Sequence, residues 1–86
     1  MMKDIMGMIE ELLDDKSVPK NVRARMEEIK LNLKDAKKDP GVKIGTSISI
    51  MDEVSNDPNL PIYARTMIWN IVSMMEAELK ASRKVN

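Results

Sequence analysis

Apolar residues near the start of the chain recur at steps of three and four: Ile5, Met8, Ile9, Leu12 and Leu13 form one stripe, opposite Asp4, Glu10 and Glu11. That period predicts an amphipathic α-helix ending near Asp14-Asp15. A second stripe follows, Val22, Met26, Ile29, Leu33 and Ala36. It opens at Pro19, whose fixed φ and missing N–H suit the first helical position. Lys34, Lys37 and Lys38 fill its last turn, where the helix dipole favours cations. Asp39-Pro40-Gly41 reads as an N-cap with proline behind it, hence a turn and not an interdomain linker. After the loop Asp57-Pro58-Asn59-Leu60, a last helix begins at Pro61 and reaches about Ser82. Ala64, Met67, Ile68, Ile71, Val72, Met75 and Leu79 cover more than one of its stripes, which predicts the deepest burial for this helix.

The segment between, about residues 40 to 56, is ambiguous by itself. Ile44 to Met51 mixes β-branched and small residues and is compatible with a strand. An internal repeat decides for helix. Asp15-Lys16-Ser17-Val18-Pro19-Lys20-Asn21-Val22-Arg23 recurs forty-two residues on as Asp57-Pro58-Asn59-Leu60-Pro61-Ile62-Tyr63-Ala64-Arg65. The register runs outward, matching Ile9 with Met51, Leu12 with Val54, Met26 with Ile68 and Ile29 with Ile71. The ambiguous segment thus corresponds to the clearly helical first one. Gly45 and Ser49, four apart, predict that a neighbouring helix approaches it closely. A period near forty marks a helical hairpin used twice. The expected fold is all-α: an antiparallel four-helix bundle of two repeated hairpins, about 2–38 and about 40–84, in one domain over 1–86.

The repeated phrase also predicts a turn clamp. Asp15 and Asp57 precede helices opening at Pro19 and Pro61, where free N–H groups favour a carboxylate. Arg23 and Arg65 lie one turn inside and can reach back to those carboxylates.

Composition mostly excludes. The chain has 86 residues, too few for one core and a large substrate cavity together. Lys plus Arg equal Asp plus Glu at 14 each, so no net field draws in nucleic acid or an anionic membrane. There is no Cys and no His, which removes disulfides, thiolate chemistry and the usual zinc ligands. No cofactor is expected. No apolar run is long enough to span a bilayer, and Met1 to Glu11 lacks the pattern of a signal peptide, so a cytoplasmic protein is expected.

Three groups remain as candidate chemistry. Lys20, Arg23, Arg25, Lys30, Lys34, Lys37 and Lys38 make the helix at 20–38 basic, as a nucleic-acid binder requires. Glu27, Glu28 and Asp35 interrupt that run and no aromatic lies near, which favours an ordinary solvated face. The neighbouring pairs Asp14-Asp15 and Asp52-Glu53 point about 100° apart on a helix and do not converge as acid and base. Ser47, Ser49 and Ser73 have no His base. Trp69 and Tyr63 are the only aromatics. Packing is the default for Trp69, whereas exposure would make it an interaction hot spot.

The Asp-to-Arg phrase resembles the HEAT repeat, whose members bind protein partners along stacked helices. A wider likeness runs through Asp52-Glu53-Val54-Ser55-Asn56-Asp57-Pro58-Asn59-Leu60-Pro61 and Ala64-Arg65-Thr66-Met67-Ile68-Trp69-Asn70-Ile71-Val72-Ser73. With the earlier Asp15 to Arg23 phrase, it resembles the uncharacterised protein family 0147 of archaea, small proteins of unknown function. That resemblance implies a compact all-helical bundle and brings no catalytic residue. The expected function is therefore a non-enzymatic interaction or scaffold module, binding a protein partner or itself. The alternatives are a nucleic-acid-associated protein using helix 20–38 and, last, a small enzyme or regulator.

Overall fold

The computed structural model describes residues 2–83, which form four helices: α1 (Met2–Asp14), α2 (Lys20–Lys34), α3 (Pro40–Val54) and α4 (Ile62–Arg83). No strand occurs among the described residues. Met1 and residues 84–86 lie outside them, so the expected limits at 1, 84 and 86 fall there. The ambiguous stretch from Ile44 to Met51 is helix. Asp39 starts it, its carboxylate accepting from the Val42 N–H at 3.2 Å, with Pro40 in the first turn. Pro19 differs from expectation: it is the N-cap of α2, not its first helical residue. Its carbonyl accepts the Arg23 N–H at 3.0 Å, as a cap carbonyl does.

Each helix packs on its neighbours in sequence, and α1 closes the ring against α4. Short connections make successive helices antiparallel. The ring has pseudo-two-fold symmetry, since exchanging α1 with α3 and α2 with α4 turns the α1·α4 seam into the α3·α2 seam. The stacking implied by a HEAT-type repeat would bring first helix onto first helix. Here α1 lies beside α2 and α4, and no Cα atoms of α1 and α3, or of α2 and α4, come within 8 Å among the described residues.

The core follows the repeat register. Ile9 and Met51, Leu12 and Val54, Val18 and Leu60, Val22 and Ala64, Met26 and Ile68, Ile29 and Ile71, and Leu33 and Met75 are all buried. Each fully buried Ile or Leu stabilises by about 1.5–3 kcal/mol, so this doubled set is the main source of cohesion. One pair breaks the rule. Ile5 is matched by Ser47, and both are fully buried.

Ser47 belongs to a polar knot in the α2·α3 seam. The Asn32 amide donates to the Lys43 carbonyl at 2.9 Å and to the Ser47 Oγ at 3.1 Å. Ser47 donates in turn to the Lys43 carbonyl at 2.8 Å, and the Lys38 ammonium donates to Asn32 Oδ1 at 2.8 Å. Every buried side-chain N or O among the described residues has a partner. The expected close approach at Gly45 and Ser49 does not occur. A Cβ at Gly45 would meet nothing within 4 Å, and Ser49 is exposed. The small residue at the helix contact is Ser47, between the two.

The expected deep burial of α4 is also corrected. Its inner stripe, Ala64, Ile68, Ile71 and Met75, is buried, while Ile62, Tyr63 and Trp69 point outward.

Candidate functional site

Two of the three turns lie at one end of the bundle, and they carry the expected clamp in a different form. Asp15 does not bond Arg23. Its Oδ1 accepts the Ser17 N–H at 2.8 Å within the turn, and Asp57 accepts the Asn59 N–H at 2.8 Å in the same way. The arginines cap main-chain carbonyls. Arg23 Nε donates to Val18 O at 3.2 Å, and Arg65 donates to Ser55 O at 2.9 Å and Asp57 O at 3.0 Å. The reason is geometric: the Asp turn folds its carboxylate onto its own backbone, leaving the unpaired carbonyls of the helix end for the guanidinium.

The second carboxylate oxygen of each Asp reaches the other hairpin. Asn21 Nδ2 donates to Asp57 Oδ2 at 2.8 Å, and the Tyr63 hydroxyl donates to Asp15 Oδ2. Asn21 and Tyr63 occupy equivalent places in the repeat, so the exchange is reciprocal. The Tyr63 hydroxyl, then the Ser17 N–H, hold the Asp15 carboxyl below its ordinary 3.8. Asn21, then the Asn59 N–H, do the same for Asp57. The bond to Asp15 in turn raises the Tyr63 phenol above its ordinary 10.0.

A third copy of the turn escaped the sequence reading. Asp35 accepts the Lys37 N–H at 3.0 Å, the Lys43 N–H bonds Asp39 O at 3.0 Å, and Lys43 Nζ donates to Asp35 O at 3.1 Å. Lys43 stands where Arg23 and Arg65 stand. The available signal was the spacing: the interval from Asp35 to Lys43 equals those from Asp15 to Arg23 and from Asp57 to Arg65. Lysine for arginine, and the displaced proline at 40, concealed it.

The basic helix does not present one cationic stripe. Arg25 bridges Glu28 at 2.9 Å and Glu53 of α3 at 3.3 Å, while Lys30 pairs with Glu10 of α1 at 2.7 Å. With Arg23 and Lys38 bonded as above, Lys20, Lys34 and Lys37 are what is left as exposed cations. Glu53 is engaged by Arg25, and Asp14-Asp15 and Asp52-Glu53 do not converge. Among the described residues no three acidic side chains gather as a metal site requires. Along the α2·α3 seam lie two open depressions of about 330 Å³ each. One is lined by Leu31, Asn32 and Lys38, the other by Asn21, Arg25 and Glu53.

Trp69, expected to pack, is 55% exposed, and Ile62 two turns before it is 78% exposed. Thr66 and Ser73 continue the same outward line, with Tyr63 and Asn70 beside it, all exposed and none charged. In a chain that is 33% charged, six exposed uncharged positions on one helix face are a distinct surface. The repeat register held the clue to Trp69, because its counterpart is Glu27, an exposed residue of α2. No helix among the described residues is long and apolar enough to cross a membrane.

Comparison with known proteins places this geometry in context. The profile of an uncharacterised protein family, UPF0147, matches residues 1–77. A UPF0147 protein of Methanocaldococcus jannaschii is 43% identical over 75 residues, covering 87% of this chain and 81% of its own. One from Methanothermobacter thermautotrophicus is 44% identical over 70 residues, 81% of this chain and 69% of its own. A crystal structure of a family member from Thermoplasma acidophilum superposes with TM-score 0.85 at 36% identity, covering 88% of this chain and 89% of that one. A second crystal structure, of a protein of unknown function, gives TM-score 0.81 at 42% identity over 86% and 84% of the two chains.

Proposed function

The chain belongs to the uncharacterised protein family UPF0147, and we propose that it is a non-enzymatic helical module that docks a protein on the outward face of α4. What carries the reading is Trp69, 55% exposed in the middle of an uncharged helix face. Leaving so large an apolar side chain in water has no benefit to the monomer, whereas aromatic residues dominate binding energy at interfaces. Among the described residues no metal-type cluster or unsatisfied buried polar side chain offers a competing site. Of those residues, Asp15, Asp35, Asp39 and Asp57 are engaged in turns and caps, Glu10, Glu28 and Glu53 in ion pairs, every buried polar side-chain group is satisfied, and both depressions are open. The docked surface has to be apolar and uncharged, with groups able to hydrogen-bond Thr66, Asn70 and Ser73.

The test places a photoreactive phenylalanine analogue at position 69 and irradiates the protein in an extract of its native cell. A discrete adduct is expected, suppressed by excess wild-type protein and not by excess Trp69→Glu. Absence of any adduct, or equal suppression by both competitors, removes the proposal.

A further inference from the structure

We propose that the α1·α4 seam is an oxidation-sensitive joint, in which a hydroperoxide converts Met8, Met67 and Met74 to sulfoxides and thereby loosens the bundle. It stands apart from the docking reading above. The repeat supplies the first observation. Arg25 and Asn32 face α3 across the α2·α3 seam, bonding Glu53 and Ser47, and Ile50 lines that seam beside Asn32. At the equivalent places of the repeat, forty-two residues away, stand Met67, Met74 and Met8. The pseudo-two-fold therefore sets three thioethers along α1·α4, where the matching seam has an ion pair and a hydrogen-bonded amide. One seam is held by directional bonds, the other by soft and adaptable side chains.

Burial ranks the sulfurs. Met26, Met51 and Met75 are fully buried, whereas Met8, Met67 and Met74 are partly buried at the edge of the core. Peroxide reaches the edge from solvent, and reaches the core only through an opening of the fold. With nine Met and no Cys, thioethers are the only oxidisable sulfur in the chain. The sulfur attacks one peroxide oxygen, the O–O bond breaks, and hydroxide leaves. Hydroxide then takes the proton of the new S–OH group, giving sulfoxide and water. Sulfur loses two electrons and the peroxide gains them.

The consequence follows from what surrounds the new oxygen. It is a polar acceptor on a side chain that was apolar. The buried side chains of α1 and α4 among the described residues are all aliphatic or thioether, so none can donate to it. An acceptor buried without a donor is destabilising, and hydrating it requires α1 and α4 to part. In the α2·α3 seam the same oxygen would have had the Asn32 amide or the Arg25 guanidinium as donor.

The full chain is treated stepwise with hydrogen peroxide and followed by peptide mass spectrometry and thermal circular dichroism. Met8, Met67 and Met74 should oxidise at least about tenfold faster than Met26, Met51 and Met75. Tm should fall by at least about 4 °C as they do so. Methionine sulfoxide reductases for both epimers should restore it. Met8→Leu/Met67→Leu/Met74→Leu nearly conserves volume and should lose less than half as much Tm in peroxide as the wild type. Met6→Leu lies one turn before Glu10, which pairs with Lys30 of α2, and so on another side of α1. That variant should remain as sensitive as the wild type. Should the triple variant fail to fold, Met67→Leu and Met74→Leu singly give the same comparison. Equal oxidation rates for edge and core sulfurs, an unchanged Tm once the three are modified, or leucine variants as sensitive as the wild type would overturn the inference.

Discussion

Removing the Ser47 hydroxyl should be costly in one background and nearly free in another. Ser47 is fully buried and Asn32 is 9% exposed. In Ser47→Ala the Asn32 amide keeps its 2.9 Å bond to the Lys43 carbonyl but loses the acceptor for its other hydrogen, now 3.1 Å away. A buried donor left without a partner costs about 1–3 kcal/mol. One bond of Asn32 survives and a little solvent reaches it, so the bottom quarter of that range applies: about 1–1.5 kcal/mol. At about 4–8 °C per kcal/mol for a domain of this size, Tm should fall by about 4–12 °C. Asn32→Leu removes the amide. Ser47 can then still donate to the Lys43 carbonyl at 2.8 Å, and leucine has the adjoining open depression to settle into. In that background Ser47→Ala strands no donor, and the change should cost under about 0.5 kcal/mol. The coupling energy from the double-mutant cycle is thus about 1 kcal/mol. Urea denaturation followed by circular dichroism measures all four proteins. Equal losses from Ser47→Ala in both backgrounds would mean that the amide is not satisfied by Ser47, and the argument fails.

Three further outcomes are expected. Asp15 and Asp57 are held below their ordinary 3.8, so their contribution is complete above that value and is lost as pH falls through the lower folded values. Tm measured against falling pH should drop more steeply in the wild type than in Asp15→Asn/Asp57→Asn, and parallel curves would contradict the cross-hairpin bonds. Arg65→Met keeps the alkyl stem and removes the donors to Ser55 O and Asp57 O, so stability should fall by about 1–2 kcal/mol. An unchanged denaturation midpoint would show those carbonyls to be equally well satisfied by water. Gly45→Ala should raise stability by up to about 1 kcal/mol, because the site is helical and open. A lower Tm there would mean that a neighbouring element does approach Gly45.

The four helices and their pairing were readable because the core repeats. A strand-like stretch such as Ile44 to Met51 was assigned correctly through Ile9 and Met51, Leu12 and Val54, against its own propensity. Hydrophobic spacing says where apolar residues fall around a helix, and it does so well for Ile68, Ile71 and Met75. It does not say which face is covered when apolar residues lie all round, and Trp69 was misplaced for that reason. The clamp residues were found, but Asp15 and Arg23 were joined as opposite charges. In the fold each has a better-placed main-chain partner, and that depends on a turn whose shape the residue types alone do not specify. Asn32 and Ser47 left no trace in the sequence, since a single Asn on an amphipathic helix is usually solvated.

The exchange of bonds at the bundle end bears on how the molecule comes apart. Each turn is latched by a residue from the opposite half, so a local opening at Asp15 frees Tyr63 of α4, and one at Asp57 frees Asn21 of α2. Neither hairpin can detach while the other keeps its corner closed. Amide protons of both halves should therefore exchange through one shared opening event, and the chain should melt as a single cooperative body despite its doubled construction.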